Sequence, residues 1–307
     1  MNGPIDTRLL QTFQTVARTL NFTRAAEELD YAQSSITAQI QVLEKSLGVK
    51  LFDRLGKRII LTESGKKLLE YADKILRLSD EVYLAIAHPD EPVGKLYIST
   101  PETLSAYRLP PLLREFRQQF PHVQIVLQSI PDEKVVDRVA MGEIDIAIVL
   151  SELKQESSDI QVKLLVKEPL LLVAPPDHIL AHLPMIPADL LRHASFLLTE
   201  ANCTYRTLFE QQLAGIGIHP TTLMEFNSVE AIKQCVMADM GIAFLPEIAV
   251  WHELETGKLV TLNWLESKFH LYTQLLWHGA RWISPAMAAF INLSEHILTP
   301  TPENFSV

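Results

Sequence analysis

The chain has 307 residues, of which 48% are hydrophobic, and a formal net charge of −10. This length suits a small module plus one or two further domains, and no run is apolar enough for a transmembrane helix. The start, MNGPIDTRLLQTF, lacks the features of a signal peptide, and two cysteines make no disulfide framework, so we expect a cytoplasmic protein without a membrane partner.

The first predicted elements are two helices. Apolar residues recur at helical spacing over 7–20, which predicts a first helix. Thr23 is a favourable N-cap for a second helix. The small and apolar packing positions of that helix are Ala25, Ala26 and Leu29.

A third helix is predicted from about Gln33 to Leu47, after a corner at residues 30–31. Its apolar stripe consists of Ile36, Ile40, Leu43 and Leu47. Another face carries short, uncharged side chains, which can enter a major groove and offer donors and acceptors to base edges. These are Gln33, Ser34, Thr37, Ala38 and Gln41. The alternative is an ordinary amphipathic hairpin with a solvated polar face.

The sequence after the third helix predicts a wing. LFDR at 51–54 and IILT at 59–62 are typical of strands, and they flank a basic tip at 56–58. Arg54, Lys57 and Arg58 are placed to contact phosphates or the minor groove. The charge is distributed accordingly: residues 1–60 hold eight basic and six acidic residues, against nineteen and thirty-one in the rest. The acidic balance therefore belongs to the second part of the chain.

These segments together resemble the winged helix-turn-helix of LysR-type transcriptional regulators. The matching residues are Phe13, Val16, Ala17, Asn21, Phe22, Thr23, Ala25, Ala26, Leu29, Gln33, Ile36, Thr37, Gln39, Ile40, Leu43, Glu44, Leu47, Gly48, Leu51, Phe52, Arg54, Leu61, Thr62 and Gly65. Ala32, Ser34 and Ala38 depart from the residues common in the family. The predicted DNA-binding residues are Thr23, Gln33, Ser34, Ser35, Thr37, Ala38, Gln41, Arg54, Lys57 and Arg58.

A long helix follows, capped by Thr62 and running to about His88. It carries more apolar residues than one small domain needs. Either the helix is buried against its own chain or, as the resemblance implies, it links the domains and dimerises. Pro89, Pro92 and Gly94 end it. The predicted domains are a DNA-binding domain at 1–62, a linker helix at 63–92 and an effector domain at 93–300.

Beyond residue 95, strands and helices alternate, which predicts parallel sheets. We expect strands at 96–100, 122–128 and 144–150 and helices at 105–119 and 132–141, then strands over 162–175 that cross into a second lobe. Lobe I spans about 93–163 and 268–300, and lobe II about 164–267. The fold class is α+β overall, and the two lobes resemble the periplasmic-binding-protein-like effector domain of the family.

Loops that follow the carboxyl ends of strands are where such sheets bind ligands. The resemblance places effector contacts on these loops, at Ser99, Thr100, Glu102, Thr103, Ser129, Asp132, Thr199, Asn202, Cys203, Thr204, Asn227 and Ser228. Helix capping is the alternative for each Ser or Thr. Glu102, Asp132 and Glu200 make the predicted cleft acidic, and Arg108 and Arg206 could offset them, so the charge of the effector stays open.

Other chemistry has weaker support. Cys203 at a helix start could have a lowered thiol pKa, which leaves a redox sensor as an alternative, whereas Cys235 is expected in the core. Asp177, His178 and His182 could hold a metal if they were helical, but they follow two prolines and favour a loop. No catalytic motif is present, and we assign no catalytic residue, metal ligand or cofactor.

The sequence thus predicts a LysR-type regulator that binds promoter DNA and responds to a small-molecule effector. The resemblance implies a homodimer that assembles to a homotetramer and bends DNA, with RNA polymerase as a further candidate partner. Two other classes remain to be compared: a cytoplasmic binding protein or enzyme that kept the cleft, and an architectural DNA protein.

Overall fold

The computed structural model describes residues 5–55, 58–153, 159–219, 222–264 and 270–299. The chain divides into two compact units, residues 1–89 and 90–307. The first unit contains α1 (Thr7–Thr19), α2 (Phe22–Leu29), α3 (Gln33–Leu47), β1 (Phe52–Leu55), β2 (Arg58–Leu61) and α4 (Glu63–Ala87).

The core of the first unit follows the predicted stripes. Phe13 of α1 and Ile36, Ile40 and Leu43 of α3 are buried together. The N-cap of α2 differs from the prediction, because Asn21 rather than Thr23 accepts the hydrogen bonds of the first free N–H groups. Asn21 follows Leu20, whose left-handed backbone ends α1 and turns the chain.

The wing is fixed to α3 and α4 by buried polar contacts. β1 and β2 pair antiparallel, and Leu51 before them donates its backbone N–H to Glu44 Oε1 at 2.9 Å. Thr62 caps α4 as predicted, by accepting from Gly65 N at 2.9 Å. A Cβ on Gly65 would lie 2.2 Å from the carbonyl oxygen of Leu51. The wing and α4 can therefore approach this closely only because residue 65 is glycine.

Helix α4 has 25 residues and leaves an apolar stripe uncovered within its own unit. Ile75, Leu78, Val82 and Ile86 recur at intervals of three or four residues and are all exposed. Ala72, in contrast, is buried against the helix-turn-helix core. The helix therefore packs on its own chain near its start and carries a free apolar stripe farther along.

The second unit consists of two five-stranded sheets with helices. Its strands and helices are β3 (Gly94–Ser99), α5 (Pro110–Gln119), β4 (Val123–Gln128), α6 (Asp132–Ala140), β5 (Ile146–Ser151), β6 (Ile160–Glu168), β7 (Leu170–Ala174), α7 (Ala188–Leu191), β8 (Ser195–Thr199), α8 (Thr204–Gly215), β9 (Thr222–Phe226), α9 (Val229–Met237), β10 (Ile242–Pro246), α10 (Glu247–Glu255), β11 (Val260–Thr261), β12 (Leu271–His278) and α11 (Pro285–Leu298).

The sheets define the two lobes. The lobe I sheet has the order β4-β3-β5-β12-β6, and the lobe II sheet the order β11-β7-β10-β8-β9. β3, β4 and β5 run parallel, as do β8, β9 and β10, whereas β12 and β7 are antiparallel to their neighbours. The carboxyl ends of the parallel strands are followed by the predicted effector loops. Mixed sheets thus replace the purely parallel ones that we predicted.

Two predicted elements have different bounds. The helix expected over 105–119 is broken, because Pro110 begins a new helix and the preceding turn, Leu104–Arg108, is π-helical with Leu109 N bonded to Leu104 O. The crossing between lobes lies at Pro169 rather than near residue 163, since β6 stays in the lobe I sheet to Glu168. In the described parts of the chain, no helix is both long and apolar enough to cross a membrane.

Candidate functional site

The polar face of α3 is exposed as predicted. Gln33, Ser34, Ala38 and Gln41 are exposed, and Ser35 and Thr37 are half-buried. The Thr37 hydroxyl donates to the carbonyl of Gln33 within the helix at 3.0 Å. Thr37 therefore offers its oxygen as an acceptor, while the amides of Gln33 and Gln41 keep both donors and acceptors for a base edge.

The rest of the predicted DNA surface is described in part. Thr23 is exposed in the first turn of α2, and Arg58 is exposed at the start of β2. Lys57 lies outside the described residues, and Arg54 is described by its backbone, which pairs with Ile59 in the wing. α2, α3 and the two wing strands thus have the arrangement of a winged helix-turn-helix.

A cavity of about 50 Å³ lies between the two lobes, at the ends of their parallel strands. It is bounded by the residues that follow β3, β4, β8 and β9 and by Leu150 near the end of β5. The lining residues are Pro101, Glu102, Thr103, Asp132, Leu150, Thr199, Glu200, Cys203, Thr204, Tyr205, Asn227 and Val229. The first residues of α6, α8 and α9, Asp132, Thr204 and Val229, are part of this lining.

The cavity brings together only part of the predicted effector residues. Glu102, Thr103, Asp132, Thr199, Cys203, Thr204 and Asn227 line it. Ser99, Thr100, Ser129, Asn202 and Ser228 do not. Ser99 and Thr100 are buried, Ser129 and Asn202 are exposed elsewhere on the loops, and Ser228 caps α9 by accepting from Ala231 N at 3.5 Å. Helix capping, the alternative, therefore applies to Ser228.

Two hydroxyls in the wall are buried. Tyr205 and Thr199 are 4% and 5% exposed, and their hydroxyl groups interact with each other and with Cys203. Burial, with the neighbouring Cys203 second, raises the pKa of Tyr205 well above its ordinary value, so the phenol stays protonated. Sequence reasoning missed Tyr205, although a polar aromatic residue directly after Thr204 was a signal for it.

Carboxylates of lobe I contact helix starts of lobe II. Thr204 Oγ1 donates to Asp132 Oδ2 at 2.5 Å across the cavity. Glu102 accepts a hydrogen bond from the backbone N–H of Val229 at the start of α9. The pKa of Glu102 is nevertheless raised, first because partial burial disfavours its charge and then because Glu200 and Glu230 repel it. The cavity is therefore lined by carboxylates that are close enough to repel one another.

The arginines that were expected to offset this acidity are engaged elsewhere. Arg108 forms a two-pronged ion pair with Glu168, Nε to Oε1 at 2.9 Å and Nη2 to Oε2 at 2.5 Å. Arg206 pairs with Glu210 at 2.8 Å and Glu225 at 2.7 Å, and it also donates to the Thr199 carbonyl. The sequence left open whether they offset the acidity of the cleft, and in the structure each pairs with carboxylates outside the cavity.

Cys203 and the histidines also differ from expectation. Burial raises the pKa of the Cys203 thiol, against the lowering predicted for a helix start, so the thiolate that a redox sensor needs is disfavoured. Residues 179–182 form a short 3₁₀ helix rather than a loop, and His178 Nδ1 accepts from Leu180 N. No group of three or more potential metal ligands occurs within the described ranges. Cys235 packs against the core of the second unit, as predicted.

Comparisons with known proteins match both units. Residues 7–66 match the model for bacterial regulatory helix-turn-helix proteins of the lysR family, and residues 89–297 match the LysR substrate binding domain. An uncharacterised helix-turn-helix transcriptional regulator of Bacillus subtilis, YwqM, is 43% identical over 292 residues, which cover 94% of this chain and 98% of that protein.

Solved structures have the same fold. A full-length OxyR variant from Pseudomonas aeruginosa is 25% identical with a TM-score of 0.69, covering 96% of this chain and 95% of that one. Full-length CbnR in complex with its target DNA is 22% identical with a TM-score of 0.70, covering 95% and 99%. The family consists of regulators rather than enzymes. The chain belongs to the LysR family of transcriptional regulators, with an N-terminal DNA-binding domain and a C-terminal effector-binding domain.

Proposed function

We propose that this regulator reads its operator with the exposed polar face of α3 and binds its effector in the cavity between the two lobes. The cavity carries the proposal, because it gathers loops from both lobes at the carboxyl ends of their parallel strands. An effector that touches both lobes stabilises one lobe arrangement over others, which is the differential affinity that a switch requires.

The exposed stripe of α4 supports a dimer as the functional unit. Ile75, Leu78, Val82 and Ile86 would be buried if two such helices pack together, and two copies of α3 could then reach two half-sites. Assembly to a homotetramer, contact with RNA polymerase and a cytoplasmic location complete the proposal. Their support is the family to which the chain belongs.

The DNA-reading surface is tested on a duplex operator selected by binding from a random pool. Gln33→Ala should lower affinity for the selected operator by about 1–3 kcal/mol and leave random DNA nearly unchanged, because it removes a base contact. Arg58→Ala should weaken both and reduce the salt slope by about one. Ser46→Ala, at the far end of α3, is the control. Equal losses on both DNAs for Gln33→Ala would contradict base reading by α3.

The effector cavity is tested by separating response from DNA binding. The first small molecule that shifts the melting temperature in a metabolite screen serves as the ligand. Thr103→Val and Thr204→Val should each reduce its affinity by about 0.5–1.5 kcal/mol while operator affinity without ligand is kept. Thr207→Val is the matched control. Thr207 lies three residues after Thr204 in α8 and outside the cavity.

Cys203→Ser decides between ligand binding and redox sensing at the same place. If sensing is redox, this change alone should abolish the response and the threonine changes should not. If all of these variants respond normally to the ligand, the effector does not bind in this cavity.

A further inference from the structure

We propose that Glu44 is a positioning residue for DNA recognition, which sets the place of the wing beside the polar face of α3. The wing is the hairpin of β1 and β2, and the polar face is the row of uncharged side chains described above. In this role Glu44 acts through the backbone of Leu51 and does not contact DNA itself. The inference rests on the proposed function in one respect, since it takes α3 as the helix that reads bases.

Glu44 lies on the polar face of α3, at the carboxyl-terminal end of the helix. Gln33, Thr37 and Gln41 recur at every fourth position, and side chains at this spacing lie on one face of a helix. Glu44 follows Gln41 by three positions and continues the same face. Gln33 and Gln41 are exposed, whereas Glu44 is 8% exposed and is in contact with residues 50 and 51. The carboxylate is therefore turned towards the start of the wing.

Both oxygens of this carboxylate bind the segment that leads into the wing. Oε1 accepts a buried hydrogen bond of 2.9 Å from the backbone N–H of Leu51, the residue directly before β1. Oε2 pairs with the ammonium of Lys50 at 2.5 Å, and the Lys50 side chain is 73% exposed. The bond to Leu51 is shielded from water and has an ionised acceptor, whereas an exposed ion pair contributes little. Glu44 therefore holds the backbone where the wing begins.

The same segment is also held by the start of α4. The Thr62 hydroxyl donates to the Lys50 carbonyl at 2.7 Å, and the Thr62 N–H donates to the Leu51 carbonyl at 3.0 Å. α3 is fixed by its apolar stripe and by Gln39, which accepts from the buried Thr12 hydroxyl of α1 at 2.5 Å. The carboxylate thus links a helix whose place is fixed to the segment from which the wing extends.

Apolar packing fixes the wing less closely than this bond does. A two-stranded hairpin is marginally stable by itself, so its place depends on its attachment. Phe52 of β1 packs against Phe13 and Phe22, with ring centroids 5.4 Å and 5.9 Å away. Such contacts are non-directional, while a hydrogen bond fixes both a distance and an angle. The bond from Glu44 to Leu51, one residue earlier, therefore sets the direction in which β1 leaves its packed ring.

The place of the wing matters more for the operator than for random DNA. Contacts to phosphates fix the register of a protein on the duplex, and base edges are then read from that register. Arg58 of β2 is the proposed phosphate contact in the wing, so a displaced wing would shift the register of α3 in the groove. On random DNA there is no base register to lose, because binding there is electrostatic. Losing the bond to Leu51 should therefore lower the affinity for the operator selectively.

The test compares the dissociation constants of full-length variants for the selected operator and for random DNA of the same length. Glu44→Ala should lower the ratio of operator to random affinity about tenfold, the change expected from the loss of about one base contact. Glu44→Gln keeps an acceptor oxygen for the Leu51 N–H and should preserve the ratio. A loss of stability alone would not change the ratio, because unfolding lowers both apparent affinities by the same factor.

Two variants control for charge. Glu63→Ala removes the same charge from the first turn of α4, where the side chain is 89% exposed and pairs with Lys66. It should leave the ratio unchanged. Lys50→Ala removes the partner of Oε2 but keeps the bond to Leu51, so it should weaken binding to both DNAs alike. A tenfold lower ratio in either control would mean that charge rather than position causes the loss, and the inference would be wrong.

The remaining outcomes separate this inference from the proposed function. If Gln33→Ala weakens operator binding alone and Glu44→Ala keeps the ratio of the wild type, α3 reads bases but Glu44 does not position the wing. If Glu44→Gln lowers the ratio as much as Glu44→Ala, the bond to Leu51 is not the cause and the inference is refuted. If Gln33→Ala weakens both DNAs equally, base reading by Gln33 fails, and the Glu44 variants still decide whether the wing sets specificity.

Discussion

Removing Arg108 should destabilise the effector-binding unit strongly, because it leaves the buried carboxylate of Glu168 without its counterion. Glu168 is 1% exposed, and it accepts from Arg108 twice and from Thr273 Oγ1 at 2.6 Å. It is the last residue of β6, directly before the chain crosses to lobe II at Pro169. In Arg108→Ala the carboxylate would keep one neutral donor and lose its counterion.

The contacts of Glu168 predict how much stability each of three substitutions should cost. Breaking a buried ion pair by removing one partner costs about 3–5 kcal/mol. The Arg108 side chain is 20% exposed, so water can replace part of what is lost, and we expect about 3 kcal/mol. Thr273→Val removes one hydrogen bond to a charged group and should cost about 1.5–3 kcal/mol. Lys163→Ala breaks an exposed pair with Glu295 in the same lobe and should cost less than about 1 kcal/mol.

Urea unfolding followed by tryptophan fluorescence measures these values for the second unit. All four tryptophans, Trp251, Trp264, Trp277 and Trp282, lie beyond residue 90, so the signal does not report on the DNA-binding unit. A loss for Arg108→Ala no larger than that for Lys163→Ala would refute the buried pair.

Three further predictions concern other surfaces. Gly65→Ala should cost about 1–3 kcal/mol of DNA-unit stability by circular dichroism, because its Cβ meets the Leu51 carbonyl, whereas Gly215→Ala has open space and should change stability by less than about 1 kcal/mol. Ile75→Asp with Val82→Asp should give monomers by sedimentation that no longer bind a two-half-site operator; full dimers would mean that the stripe is not the interface. Glu102→Gln should raise the melting temperature at pH 7. Because the group is so exposed, the gain in the free energy of unfolding should be at most about 0.5 kcal/mol. The pKa of Glu102 is raised on folding, so the stability that protonated Glu102 confers is present at acid pH and is lost as pH rises through the folded pKa. The advantage of the Glu102→Gln variant should therefore vanish below about pH 4, where Glu102 is protonated in both states.

Features that depend on a few neighbouring residues were predicted well. The stripe of α3, the cap of α4 at Thr62 and the strand at 122–128 all follow from local spacing and capping. The N-cap of α2 was predicted wrongly, because Asn21 and Thr23 are both good caps and lie two residues apart. The left-handed turn at Leu20, where α1 ends, brings Asn21 rather than Thr23 to the start of the helix.

Pairings between distant residues could not be predicted. Arg108 is close to Glu102 in sequence, and spacing alone suggested that it neutralises the cleft. Its partner Glu168 is 60 residues away and is brought to it by the position of β6 at the edge of the lobe I sheet, next to β12. The burial of the Tyr205 hydroxyl is also a property of packing, since the same residue in an exposed first turn would be hydrated.

The contacts between the lobes at the cavity also bear on how ligand binding there would change the lobes. Glu102 and Asp132 of lobe I already contact the starts of α9 and α8 in lobe II, where helix dipoles favour negative charge. An anionic effector would have to displace these carboxylates to reach the same N–H groups. The same arrangement of the lobes brings Glu102 near Glu200 and Glu230, and their repulsion contributes to its raised pKa. An effector that bound in the cavity and altered these contacts would have different affinities for different lobe arrangements, and that difference is what shifts the equilibrium.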